Sequence, residues 1–514
     1  MAENDPAILP DDAAQPNALR AGSAGRIASL LMAAALWGFS IALGVALVSA
    51  LWACFGTVLF RPLDVVEGEV LFEAQRLRQH LALYVDPLVG ARDYGPVPSR
   101  YYVLYTPLWP RLLSVLPSRW AEPVARVVGG LAWYGMLGGI AYWSPVDRRR
   151  NAAVAAAWAG GSFMLSRFCA SATADSVAVA VSAAAFFDCV RRERVTAAAG
   201  ALFVLAAWLK PNVVGLGAGA FLYEVGAHRR RALGPLSVAL ATAGVLAVVS
   251  YRLSDGLWLS HLMRSTIQPM LLSRGVDQIV PRLPFLGLPH LLAAAFCWRA
   301  RRLPKARLLL TVLGVSLGWT FLSMSKVGSS TNYWLEPTVA AVLAMASVPM
   351  TEVRRVAARV PIPVKATAVF CATIVLGLNA WGSVQAATGA SERRGALDRV
   401  RAECGAAPTD IVLGEHPGIE MMLDGRVIET PFQMTHLLRR GLFPEDVWKR
   451  VIFSPEVRCL VTESDILERP LSDVDAQNDR FPPSIRAALE KRFVLVEKDS
   501  GVWVYRARDP APRD

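Results

Sequence analysis

Two carboxylates, Asp64 and Glu67, stand three residues apart in the first polar segment after a long apolar one, and no charged residue lies between Arg26 and Arg61. A membrane helix running straight into them leaves these acids at the bilayer surface, where an enzyme acting on a lipid-borne substrate needs its chemistry. A carboxylate there can take the proton of a hydroxyl acceptor. It can equally cap the helix that follows, as Asp commonly does. On a helix, residues three apart share a face, so both acids can reach one site. Glu69, Glu73 and Arg76 read as the charged surface of an amphipathic helix whose apolar side is Leu71, Phe72, Ala74, Leu77 and Leu81. Such a helix lies along the membrane interface and roofs a substrate cavity.

Cations and hydrogen-bonding side chains recur in later polar connections. Lys210 follows AAWL and precedes Pro211, where charge is costly in a bilayer. It either holds an anion such as a lipid phosphate or snorkels to the surface. Lys326, Arg264 and Arg252 offer the same charge. In SKVGSSTNYWLEP, Asn332 and Tyr333 can orient sugar hydroxyls or phosphate oxygens while the ring stacks on an apolar sugar face. An interfacial aromatic belt also explains Tyr333 and Trp334, but not Glu336, for which Lys326 or Lys210 is the expected partner. Asp175, in TADS, opens a helix whose dipole favours an acid, or else contacts the acceptor. Arg126, just inside a span, is expected to pair with Asp64 or Glu122.

The elements that position these groups are membrane helices. Of 514 residues 54% are hydrophobic, and the mean hydropathy is +0.36, beyond an ordinary soluble domain. The net charge of +12 sits in short arginine clusters between apolar segments, which report topology and not a nucleic-acid partner. Apolar stretches at 27–56, 124–143, 151–167, 172–190, 195–209, 212–226, 233–251, 283–298, 308–325, 333–349 and 366–388 predict about eleven spans. Basic residues mark every second connection: Arg20 and Arg26, then Arg148–Arg150, Arg191–Arg194, Arg229–Arg231, Arg299–Arg307 and Arg354–Lys365. By the positive-inside rule these are cytoplasmic, and the alternate connections, which hold the chemistry, face outward.

The expected organisation is a disordered cytoplasmic leader over 1–26, a transmembrane domain over 27–390 with a first outer loop over 61–122, and an extracytoplasmic α/β domain over 391–514. The first apolar run is far longer than a signal-peptide core, so the first helix is expected to stay as an anchor. Stretches 195–209 and 211–223 are short for a crossing and must tilt, break or be shielded. Their Ala and Gly, as in VVGLGAGA, let helices approach closely. In the C-terminal part, DIVLGE, VRCLVTES and FVLVEKDSGVWVYRA read as strands, with helical spacing in PEDVWKRVIF and PSIRAALEKRF and a turn at Asp499-Ser500-Gly501. Cys404 and Cys459 both fall in that outer domain, where a disulfide is allowed. No cysteine or histidine spacing reads as a metal site. A divalent cation near Asp64 and Glu67 stays open, because two carboxylates do not establish one.

The first helix ending at D-x-x-E-G, then LYVDP, then YTPLWP, then a second span opening AEPVARVVGG, resemble the C-type (GT-C) membrane glycosyltransferases. The resemblance is to bacterial relatives of the dolichyl-phosphate-mannose protein mannosyltransferases and to aminoarabinose transferase-like enzymes. TADS and GSSTNYWLEP extend it over about the first 390 residues. Many such relatives carry an adjacent Asp-Glu pair where Asp64 and Glu67 here stand apart and Glu69 follows. The resemblance implies an α-helical polytopic GT-C-like membrane protein of the bacterial inner membrane. It also implies a transferase moving a sugar from a polyprenyl-phosphate donor to an extracytoplasmic glycan, lipid or protein.

Such a reaction needs a base for the acceptor and cations for the departing phosphate. The expected set is Asp64, then Glu67, as catalytic acids, with Lys210, Lys326, Asn332, Tyr333, Glu336, Arg264, Tyr84 and Asp175 as substrate contacts. A transporter or flippase of lipid-linked substrate is the alternative from another class, but the charges gather in outer loops and no internal repeat is visible. A non-catalytic envelope assembly protein displaying its C-terminal domain is the third.

Overall fold

The computed structural model describes residues 15–347, 351, 355, 358–404, 410–466 and 480–508. Residues 1–14 of the expected disordered leader lie outside the described residues, and so does Arg354. The rest of the leader is helical, because the Ala, Leu and Arg of ALRAGSAGRIASLL favour helix. Helix α1 spans Gln15–Leu51 and passes into a π-helical turn at Trp52–Gly56.

Helices α2 (Val65–Arg78) and α3 (Leu108–Ser114) belong to the first polar segment. The bundle continues with α4 (Ser118–Trp143), α5 (Val146–Gly160), α6 (Phe163–Cys169), α7 (Asp175–Arg192), α8 (Ala197–Leu209) and α9 (Gly215–Leu253). Then follow α10 (Leu257–Ser265), α11 (Leu272–Ile279), α12 (Leu288–Arg299), α13 (Pro304–Met324), α14 (Leu335–Ser347) and α15 (Ile362–Cys404).

The apolar stretches all fall on helical segments, with two departures from the expected spans. Stretch 151–167 is divided between α5 and α6 at Gly161 and Ser162. Stretches 212–226 and 233–251 are the two halves of α9, broken only at His228 (φ −148°, ψ 58°). Arg229–Arg231 therefore lie in helix and not in a loop, since Arg, Ala and Leu resume the helix after one residue. Among the described residues, six helical segments are long and apolar enough to cross a membrane: Ser29–Gly56, Ser118–Trp143, Gly215–Leu253, Leu272–Arg299, Pro304–Met324 and Ile362–Ala402.

Small residues set the spacing within the bundle. A side chain at Gly217 would lie 2.9 Å from the Phe203 ring, and one at Gly219 would lie 2.7 Å from the Val312 backbone. The glycines of VVGLGAGA are thus where α8, α9 and α13 touch.

The connections that carry polar chemistry converge at one end of the bundle. Glu67 and the Trp109 indole both bond to Ala172, Lys210 reaches Asp175, and Asn332 reaches Asp175 as well. The C-terminal domain sits on this same end. Arg100 pairs by backbone with Ile428, and Ile267 packs into the domain's core.

That domain is a four-stranded sheet of order β1-β2-β4-β3, with β1 (Ile411–Gly414) parallel to β2 (Val457–Thr462) and a hairpin of β3 (Phe493–Asp499) and β4 (Val502–Ala507). Ser500 and Gly501 make the expected turn with φ of 48° and 75°. Helices α16 (Pro417–Asp424), α17 (Pro431–Arg439), α18 (Glu445–Ile452) and α19 (Pro483–Arg492) complete it.

Strand alternation splits the core in two. Ile411 and Leu413 join Leu437, Trp448 and Ile485 on one face, while Val412, Val461 and Val504 join Leu397, Val400 and Ile419 on the other. The end of α15 is therefore one layer of the domain, and the compositional change near Ser391 lies inside a 43-residue helix. The Cys404–Cys459 disulfide ties the last residue of α15 to β2, with α-carbons 6.0 Å apart.

Candidate functional site at the domain end of the bundle

Asp64 caps α2. Its Oδ1 accepts the amides of Val66 (2.9 Å) and Glu67 (2.7 Å), and Glu67 Oε2 accepts the Asp64 amide in return (3.2 Å). This reciprocal capping box fixes where α2 begins. Asp64 remains exposed, and its Oδ2 accepts no hydrogen bond among the described residues.

Glu67 is the opposite case. It is 1% exposed, and Arg126 grips it through Nε to Oε1 (2.9 Å) and Nη2 to Oε2 (2.8 Å). Arg61 (3.2 Å) and the Ala172 amide (2.7 Å) bond to Oε1 as well. Burial alone would raise this carboxyl, but the Arg126 and Arg61 guanidinium groups outweigh it and hold it well below the usual carboxylate range. An acid so satisfied is a poor base and leaves no oxygen for a metal. Arg126 also bonds Glu122 (2.6 Å) and the carbonyls of Val58, Arg61 and Pro62, so it joins α1, α2 and α4. Of its two expected partners Glu122 is present, and Glu67 takes the place of Asp64.

Lys210 neither snorkels nor stands free. It is 1% exposed, its Nζ lies 2.8 Å from Asp175 Oδ2, and it sits 3.9 Å over the Tyr105 ring. Asp175 also accepts Asn332 Nδ2 on Oδ1 (2.7 Å) and Thr173 Oγ1 on Oδ2 (2.6 Å). Three expected site residues thus meet in one buried ion pair. Glu336 does not join them. Its oxygens accept the amides of Gly215 (3.0 Å) and Leu216 (3.1 Å), so it caps the start of α9 and does not pair with Lys326 or Lys210.

The surface reading of Glu69, Glu73 and Arg76 is overturned, because all three are buried. The C-terminal domain covers the face of α2 that the sequence would leave to water. Arg76 pairs with Asp93 (2.6 Å) and lies between the Phe72 and Tyr101 rings. Both Glu69 oxygens and Glu73 Oε2 are without a hydrogen-bond partner. Burial, then Glu73 and Asp64, push the Glu69 carboxyl well above its ordinary value, with Lys210 opposing. Glu69 is therefore the point where the Asp64 end of α2 meets the Lys210 cluster. Only a tertiary signal could have marked it, since its spacing on α2 suits a solvated face.

The remaining expected contacts are dispersed. Tyr84 is buried and donates its hydroxyl to the Tyr105 carbonyl (3.3 Å). Tyr333 packs at the edge of the bundle core. Lys326 is half-buried with no ion pair among the described residues, and burial lowers its ammonium to about 8. It lies near His436 of α17 in the C-terminal domain. Arg264 is half-buried on α10, near Tyr102. Among the described residues, no group of three or more His, Cys, Asp or Glu is arranged to hold a metal ion.

No family model matches the sequence, and no curated protein sequence matches it. Solved structures do match the fold. ArnT from Cupriavidus metallidurans bound to undecaprenyl phosphate is 13% identical and superposes with a TM-score of 0.52, over 90% of this chain and 97% of that one. The same protein in its apo state gives 13% and 0.52, over 94% of this chain and 98% of that one. The match includes the C-terminal domain, which the sequence resemblance did not reach. The chain has the fold of the C-type membrane glycosyltransferases.

Proposed function

We propose that this protein is an integral membrane glycosyltransferase that moves a sugar from a polyprenyl-phosphate donor to an acceptor at the extracytoplasmic surface. What carries the reading is Asp64. It is a carboxylate with one free oxygen, held by a helix cap at the end of the first membrane helix, in a fold shared with a protein crystallised with undecaprenyl phosphate. The arginine clusters support a cytoplasmic N-terminus and an extracytoplasmic C-terminal domain.

In this mechanism Asp64 Oδ2 takes the proton from the acceptor hydroxyl as its oxygen attacks the anomeric carbon. The bond from that carbon to the phosphate oxygen breaks, and the polyprenyl phosphate leaves with the electron pair. Lys326 and Arg264 are the cations we assign to the phosphate, in place of Lys210, whose charge is already met by Asp175. Glu67 acts through position only, by fixing the α2 cap. Asn332 and Tyr333 orient the sugar, and Asp175 keeps Asn332 in place.

Asp64→Asn is the direct test, because Asn caps a helix as well as Asp does, so the fold is kept while the base is lost. Purified variant should reach the membrane at normal abundance and lose about a hundredfold to ten-thousandfold in transfer. Undiminished transfer would refute the assignment.

A further inference from the structure

We propose that Glu69 and Glu73 are the groups that accept hydrogen bonds from the hydroxyls of the transferred sugar, in a pocket walled by aromatic rings. This rests on the glycosyltransferase reading and assigns that site its specificity residues.

The two acids are one turn apart on α2, and are 2% and 1% exposed. Both Glu69 oxygens and Glu73 Oε2 lack a partner. Every neighbouring charge that could satisfy them is engaged elsewhere: Arg76 with Asp93, Lys210 with Asp175, Arg126 with Glu67 and Glu122. Glu67, two residues earlier, shows what a structural acid in this helix looks like, with both oxygens fully bonded. Buried acids without partners cost free energy, so their retention points to a ligand that supplies donors. No third carboxylate, cysteine or histidine joins them among the described residues to make a metal site.

A separate observation supports a sugar. Phe72, the residue before Glu73, lies in a buried aromatic cluster with Tyr84, Tyr101 and Trp258. Glu73 acts electrostatically on both tyrosines. Within this cluster Trp258 buries its indole Nε1 with no partner. Carboxylate acceptors, an unused indole donor and aromatic faces together match a ring that has hydroxyls at its edge and C–H groups on its face. Glu69 also lies within the electrostatic reach of Asp64 and Lys210, which puts the pocket beside the proposed base.

The test measures lipid binding to the purified full chain by native mass spectrometry. The probes are undecaprenyl phosphate alone and the same lipid carrying glucose, mannose, galactose or N-acetylglucosamine. The unaltered protein should bind at least one sugar-bearing lipid about tenfold or more above the bare lipid, as a hydrogen bond to a charged acceptor allows. Glu69→Gln and Glu73→Gln should lose that preference and keep the bare-lipid affinity. Each variant's melting temperature separates a structural role, which would raise stability on removal of an orphan charge and leave the preference intact. Retained preference in both variants overturns the assignment while leaving the transferase reading in place. Failure of the unaltered protein to bind any of these lipids overturns both.

Discussion

Gly418 of α16 faces Gly68 of α2 so closely that a side-chain carbon on either one would run into the other's backbone, and one on Gly418 would also strike the carbonyls of Leu63 and Asp64. The C-terminal domain is thus pressed directly on the residue proposed as the base. Met422 Sδ adds a bond from the Leu63 amide (3.2 Å).

Gly418→Ala should therefore loosen the domain from α2, at a cost of about 1–3 kcal/mol, because the clashing atoms are backbone and cannot swing away. The melting temperature and the protease resistance of the C-terminal domain should both fall. Gly138→Ala, at a helical position with nothing within 4 Å, serves as the control and should leave both unchanged.

The Glu67–Arg126 pair should be the most sensitive ionic contact in the site. Arg126→Met strands a buried carboxylate, a loss of about 3–5 kcal/mol. The double variant Arg126→Met, Glu67→Gln should recover part of that stability in thermal unfolding. Losses that simply add would show that the two side chains do not act as a pair.

Lys326 should impose an alkaline limit on donor use. Burial lowers its ammonium to about 8, and only the protonated form attracts phosphate. Hence kcat/KM for the lipid donor should be full below pH 8 and fall as pH rises through it, since this ratio reports the free enzyme. Lys326→Gln should weaken donor use and flatten the profile. A profile that still bends near pH 8 in the variant would remove Lys326 from the phosphate site.

Glu429 gives the C-terminal domain a pH-dependent weakness. Burial raises its carboxyl to about 8, against the opposing pull of the Trp448 indole and Arg100. The unfolded chain ionises near the model value of 4.5, so the folded state holds the extra proton. Stability should therefore be highest below pH 4.5 and decline as pH rises from there to about 8, by at most about 1.4 kcal/mol per unit. Glu429→Gln should raise the melting temperature at pH 7 and remove this slope.

Much of this architecture was legible in the linear chain because its causes are local. Hydrophobic runs longer than a soluble core needs marked the bundle, period-two alternation marked β1 to β4, and Asp499-Ser500-Gly501 marked their hairpin. The D-x-x-E spacing carried the cap at Asp64 and Glu67 for the same reason, since a capping box closes within one helical turn. The polar connections that were expected on one side do meet there. The division of labour among the acids depended on partners far away in sequence. Arg126 is 59 residues from Glu67, Lys210 is 35 from Asp175, and Glu336 is 121 from the amide of Gly215. Whether an acid is a base, an anchor or a ligand contact is decided by which donors reach it. In α2 that turned on a domain more than three hundred residues downstream: α16 covers the helix, buries Glu69 and Glu73, and leaves Asp64 with a free oxygen.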